Sequence, residues 1–135
     1  MADVPGAVAD THALLFHAAG GGNLGRKAAQ HFQATELQQA LTYVPAGAIW
    51  EVWLLSRAGR VNLRRPVREF FLDLFSNPAY QPHELTAEQI YRADELRFNR
   101  DPFDALIVAA AQALQLPMLT RDADIRASGT VRVIW

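Results

Sequence analysis

The chain contains no cysteine. That excludes disulfides and any thiolate-held metal or iron–sulfur centre, though it does not fix the compartment. It has almost no lysine: Lys27 stands alone beside twelve arginines. It lacks a strong charge of either sign, with a formal net charge of −1, so the protein as a whole is not a basic nucleic-acid binder. It lacks a long hydrophobic run; the strongest, Ala105–Ala111, is far too short to span a bilayer. The opening MADVPGAVADTHALL carries Asp3 and Asp10 and no basic residue, which does not fit a signal peptide. A soluble cytoplasmic protein is the expectation. Half the 135 residues are hydrophobic, enough for one compact domain, read as residues 1–135.

The second half of Val4–Ala9 reads as a short buried strand and Thr11–Ala18 as a helix. Gly20–Gly22 would end that helix, and Asn23 would cap the next, Leu24–Ala34. Leu41–Val44 is a strand candidate stopped by Pro45, and Ala46–Arg57 is a strongly apolar helix. Pro66 fits the first turn of a helix reaching Phe75. SNPAYQPHEL reads as loop with at most a short extended piece. Thr86 opens a capping box for a helix to about Leu96. Asp101–Pro102 starts a helix to about Leu114, and LPMLT and VRVIW are the last strand candidates. Strands alternating with helices imply an α/β fold: a central parallel sheet with helices on both faces.

In such a sheet, ligands bind beyond the carboxyl ends of the strands. Asp10 falls just past the first strand. Asp122 follows the strand Leu116–Leu119, and Asp124 comes two residues later. Taken singly, each has a bland explanation, since Asp is a leading helix cap and Asp10 would cap the helix at Thr11. Glu51 is the only ionisable residue between Ala46 and Leu55 and must reach either solvent or a cation. In RDPFDALIVAAA, Asp101 suffices as the cap. Asp104 is then surplus, on the face of Ile107 and Val108, although an acid there also gains from the helix dipole. One site explains these acids better than four coincidences. A cluster of Asp10, Glu51, Asp104 and Asp122 would repel itself and raise its own pKa values unless cations relieved it. With oxygen ligands alone the cation is hard, Mg²⁺ or Mn²⁺, and such sites suit phosphodiester hydrolysis.

VADTHALL, IWEVWLLSRAGR and DPFDALIVAAAQALQLPMLTRDADI together resemble a PIN domain, and more specifically the VapC-type ribonuclease toxins of toxin–antitoxin pairs. The resemblance runs from about Val8 to Trp135. It implies a three-layer α/β/α sandwich and Mg²⁺- or Mn²⁺-dependent RNA cleavage. Asp10, Glu51, Asp104 and Asp122 would be the catalytic acids. Of these Asp10, Asp104 and Asp122 would bind the ion, with Glu51 and Asp124 as further candidate ligands. Thr11 and Thr120 would support them, and His12 fits the Asp-Thr-His-Ala-Leu opening. It also implies RNA as substrate, a small antitoxin as partner and a homodimer. The segment HAAGGGNLGRKAAQ matches no family motif, and Met1–Gly6 extends before the usual start.

Three other features bear on function. Gly20, Gly22 and Gly25 satisfy G-x-G-x-x-G, but no acid ends the following strand, which argues against a dinucleotide fold. A phospho-accepting receiver domain would need a late lysine that this chain lacks. Arg57, Arg60, Arg64, Arg65 and Arg68 cluster after the Glu51 helix. Arg57, Arg64 and Arg65 are expected RNA-phosphate contacts. The rival is a catalytically inactive or non-toxin domain binding protein or RNA, with an apolar surface drawn from Trp50, Trp53, Phe70, Phe71 and Phe75.

Overall fold

The computed structural model describes residues 4–135; Met1–Asp3 of the N-terminal extension lie outside the described residues. Five strands form one all-parallel sheet: β1 (Gly6–Ala9), β2 (Leu41–Pro45), β3 (Tyr80–His83), β4 (Met118–Leu119) and β5 (Val133–Ile134), in the order β3-β2-β1-β4-β5. The helices α1 (Thr11–Ala18), α2 (Arg26–Glu36), α3 (Ala46–Arg57), α4 (Val67–Leu74), α5 (Ala87–Glu95), α6 (Pro102–Leu114) and α7 (Ala123–Ser128) flank it. This is the expected α/β/α sandwich.

The chain steps outward from β1 through β2 to β3, then returns to the other side of β1 for β4 and β5. The connections leaving β1 and β4 therefore diverge, and a crevice opens between them at the carboxyl edge. Register places the residues there. Ala9 pairs with Leu119, and Leu119 with Ile134, so Asp10, Thr120 and Trp135 follow one another across three adjacent strand ends. Asp10 N–H donates to the Leu119 carbonyl at 3.0 Å, which ties the two strand ends directly.

β1 is apolar on both faces because both are covered: Ala7, Val8 and Ala9 are fully buried, as are Ile107 and Val108 of α6 and Val52 of α3. Thr86 caps α5 as its motif demands, its hydroxyl accepting from Gln89 N–H at 3.2 Å. Asp101 caps α6, its Oδ1 accepting from Phe103 N–H at 2.9 Å and from Asp104 N–H at 3.4 Å.

Several boundaries differ from expectation. SNPAYQPHEL contains a true edge strand, β3; Pro82 is tolerated because an edge strand can dispense with an N–H on its open side. Pro66 is the cap of α4 rather than its first helical residue, and that helix ends at Leu74. α7 is only six residues long, too short to show a period in sequence. Asn23 does not cap α2; Gly25 does. A β-carbon at Gly25 would stand 2.5 Å from the Trp135 backbone, whose oxygen accepts from Lys27 N–H at 2.8 Å and Ala28 N–H at 3.1 Å. Only glycine permits that approach, and the Trp135 oxygen satisfies the open helix end. Gly20–Gly25 thus joins two helices, not a strand to a helix, which removes the dinucleotide-turn reading.

Candidate active site

Asp10 occupies the N-cap position of α1 but makes no capping hydrogen bond. The capping explanation for Asp10 is therefore wrong. Its Oδ2 instead accepts from Thr120 Oγ1 at 2.7 Å, across the β1–β4 crevice. Asp10 is 5% exposed and Thr120 fully buried. Burial pushes the Asp10 carboxyl above its ordinary range. The Thr120 hydrogen bond and the nearby His12 oppose the shift, while Asp122 adds to it.

Thr120 Oγ1 also accepts from Asp122 N–H at 3.1 Å. One hydroxyl thus fixes a carboxylate on β1 and the backbone that presents a second acid. Asp122 does cap a helix: its Oδ1 accepts from Ile125 N–H at 2.9 Å and starts α7. Asp104 stands in the first turn of α6, its Oδ2 accepting from Asn99 Nδ2 at 2.8 Å. Its carboxyl is pushed up to about 7. Burial is the largest cause, and the charges of Asp10, Asp101 and Asp122 add to it against the Asn99 hydrogen bond.

Asp10, Asp104 and Asp122 line one cavity of about 300 Å³ with Asp101, His12, Ala13, Phe16, Arg121 and Trp135. Glu51 is half-buried on α3 and is not part of this lining. It is nonetheless close enough to feel the site. Burial raises its carboxyl, and Asp101 and Asp10 raise it further; the Thr11 hydroxyl and His12 work against the shift. Thr11 is fully buried, and its Oγ1 makes no hydrogen bond of normal geometry. Asp124 is exposed in the first turn of α7 and lies outside the cavity, so the structure does not bring it to the other acids.

The donor set of Asp10, Asp104 and Asp122 fits a hard divalent cation: its donors are carboxylate oxygens, and burial first, with the neighbouring acids adding to it, raises the Asp10 and Asp104 carboxyls. Among the described residues, no three Asp, Glu or His side chains converge on one point as a ready-made ion cage.

The expected arginines lie elsewhere. Arg64 and Arg65 line a larger cleft of about 730 Å³ with His17, Glu36, Asn62 and Asp73, which shares no residue with the acidic cavity. Arg65 pairs with Asp73 at 3.3 Å, and the Arg57 guanidinium lies 5.1 Å from the centre of the Trp50 ring. The aromatic surface of the rival reading is mostly core. Phe71 is buried, Trp53, Phe70 and Phe75 pack against the core, and only Trp50, 47% exposed, faces outward.

Sequence reasoning missed Asp101, Asn99, Phe16, Arg121 and Trp135 as parts of the site. Asp101 already had a sufficient role as a cap, which concealed a second one. Asn99 holds both neighbours: besides donating to Asp104, its Oδ1 accepts from Asp101 N–H at 3.0 Å. Asn two residues before a helix-capping Asp was the available signal, an Asx turn presenting the cap.

No helix is long and apolar enough to cross a membrane among the described residues. No curated protein is similar enough in sequence to match the chain. The fold is similar to that of VapC20 from Mycobacterium tuberculosis, described as a sarcin–ricin-loop-cleaving toxin, at 17% identity and TM-score 0.69, covering 95% of this chain and 98% of that one. It is similar to VapBC2 from Rickettsia felis bound to a promoter DNA fragment, at 10% identity and TM-score 0.68, covering 95% and 96%. A toxin–antitoxin complex from Klebsiella pneumoniae matches at 20% identity and TM-score 0.62, covering 93% and 94%. The sequence model of the PIN domain matches residues 7–129. With the sheet order, the acids at its carboxyl edge and this match in agreement, the chain belongs to the PIN domain family.

Proposed function

We propose that the protein is a divalent-metal-dependent ribonuclease, the toxin of a toxin–antitoxin pair, acting in the cytoplasm on RNA. The observation that carries this reading is Asp10: a buried carboxylate in a cap position that declines the cap, is held by Thr120 and shares a cavity with Asp104 and Asp122. A fold needs no such arrangement, since an uncompensated buried acid costs stability. The toxin and toxin–antitoxin structures of the same fold support the toxin assignment and an antitoxin partner; the homodimer is proposed from the family resemblance alone.

Asp10, Asp104 and Asp122 would hold Mg²⁺ or Mn²⁺. Bound there, the ion would supply an acidified water and charge stabilisation at phosphorus. The chain's own residues do the rest. Thr120 aims the Asp10 carboxyl and Asn99 that of Asp104, and each hydrogen bond opposes the burial that favours the protonated form. Glu51, its carboxyl raised chiefly by burial, lies near enough to Asp10 and Asp101 to feel their charge, and from there it would either help hold the ion or serve as the proton acceptor for water. Arg64 is assigned to more distant phosphate contacts. Arg57 and Arg65, engaged by Trp50 and Asp73, contribute less.

Purified protein incubated with mixed RNAs should cleave them with Mn²⁺ or Mg²⁺ and stop when a chelator is added. Cleavage that survives the chelator removes the metal from the mechanism. Thr120→Val keeps the shape of the side chain and deletes the hydroxyl that orients Asp10 and Asp122. It should lower activity about 10–100-fold and raise the Mn²⁺ concentration needed for half-activity. An unchanged metal requirement would reduce Thr120 to packing.

A further inference from the structure

One wall of the acidic cavity is not acidic. Phe16 and Trp135 meet edge to face with ring centroids 6.3 Å apart, and the His12 ring lies 6.4 Å from Phe16. The Arg121 guanidinium sits 4.6 Å from the centre of the Phe16 ring. All four line the cavity beside Asp10, Asp104 and Asp122. Arg121 is exposed and adjacent in sequence to Asp122. Among the described residues it nevertheless makes no ion pair with any carboxylate. The aromatic ring holds it as a cation with its hydrogen-bonding edge free.

Trp135 is not loosely placed. Its main-chain oxygen is fixed by two N–H groups of α2, Gly25 lies against its backbone, and its neighbour Ile134 is in the sheet. Trp135 is part-buried, packed against the core on one side and lining the polar cavity on the other, and an aromatic ring so anchored at a cavity wall is a good stacking platform.

We propose that this wall is a nucleobase seat. The base beside the scissile phosphate of single-stranded or splayed RNA stacks on Trp135, backed by Phe16, while Arg121 takes a neighbouring phosphate. This rests on the ribonuclease reading and deepens it. It makes the substrate a nucleotide with an unstacked base, not a regular duplex, whose bases are closed to such contact.

The test uses the full chain with Trp50→Phe and Trp53→Phe, so that Trp135 alone fluoresces, and Asp10→Asn to slow cleavage in Mg²⁺. Short RNA strands are titrated beside strands of equal phosphate number with one abasic position. Base-bearing RNA should quench Trp135 and bind about 10-fold or more tightly than the abasic strand. Because these variants carry no tryptophan, affinity in every arm is also read by fluorescence anisotropy of end-labelled strands; Trp135→Ala should abolish that difference, and Trp135→Phe should restore most of it. Arg121→Gln should weaken both strands alike and reduce the salt slope by about one. Equal affinity for the two strands with wild-type Trp135 overturns the seat, as does a difference that survives Trp135→Ala. If Trp135→Ala does not fold, the abasic comparison with Trp135 intact decides. Cleavage by the unmodified protein is scored separately. Metal-dependent cleavage without base discrimination defeats the seat and leaves the ribonuclease standing, whereas no cleavage of any RNA defeats both.

Discussion

Asp10→Asn should remove metal-dependent RNA cleavage, by about 10³-fold or more, while leaving the protein folded. The size follows from what the carboxylate would do. Holding a Lewis-acid ion against phosphorus is worth several kcal/mol in the transition state, and each 1.4 kcal/mol is about tenfold in rate. The preserved fold follows from geometry. The asparagine carbonyl can accept the Thr120 hydroxyl in place of Oδ2, and no α1 cap is lost because Asp10 supplies none. Circular dichroism and melting would establish folding, and a gel assay over a Mn²⁺ titration would establish the loss. Asp124→Asn is the matched control. That acid is exposed and off the cavity, so its removal should leave the rate within about twofold. Should Asp124→Asn cost as much as Asp10→Asn, the ligand set drawn here is wrong.

Asp104→Asn should make the metal-free protein more stable at pH 8. The Asp104 carboxyl binds its proton with a pKa of about 7 in the folded chain against 3.8 for a free side chain. Between those values the native state holds a proton that the unfolded state has released. Native stability therefore falls as pH rises from about 4 to about 7, and the penalty is constant above that. Three pK units correspond to a ceiling of roughly 4 kcal/mol. Asp104 is only part-buried, and the ionised form recovers a little from the helix dipole, so about 1–2 kcal/mol is expected. That is a melting temperature about 4–8 °C above wild type at pH 8. The gap should shrink to less than half near pH 5 and nearly close below pH 4, where the unfolded side chain takes up its proton as well. Mg²⁺ should shrink it at pH 8 as well, because binding stabilises only the intact site. A less stable Asp104→Asn in chelator at pH 8 would return the residue to helix capping. The cap itself argues against that outcome, since Asp101 makes both capping hydrogen bonds of α6.

These two residues also mark what the amino-acid sequence discloses. Asp10 and Asp104 were legible because each breaks a local rule: an acid directly after a buried strand, and an acid surplus to its helix cap. Glu51 was legible as a lone charge in an apolar helix. Strands alternating with helices made the parallel sheet readable without any long-range information. Residues that obeyed local rules stayed hidden. Asp101 is a good cap, Arg121 lies in a polar turn, Trp135 follows a two-residue strand, and nothing local says that they share a cavity. The same limit explains Asn23. It is a better cap than Gly25 by propensity, and it loses because Trp135, more than a hundred positions away, needs the room. β3 was disguised by Pro82, whose missing N–H matters only if the strand has neighbours on both sides, a fact of topology.

The tie between Asp10 and Thr120 makes this chain unequally tolerant of changes in length. Both residues leave their strands with no intervening loop, and the hydroxyl of one reaches the carboxylate of the other because Ala9 and Leu119 are partners in the sheet. An inserted or deleted residue within either strand would turn every following side chain to the opposite face and separate the pair. The turns around Gly20 and Gly59 have open space beside them and carry no member of the acidic cavity. Relatives of this chain can therefore drift in length at those turns while the β1–α1 and β4–α7 junctions stay at constant spacing. Spacing at those two junctions, more than overall identity, is what should separate working copies of this fold from silent ones.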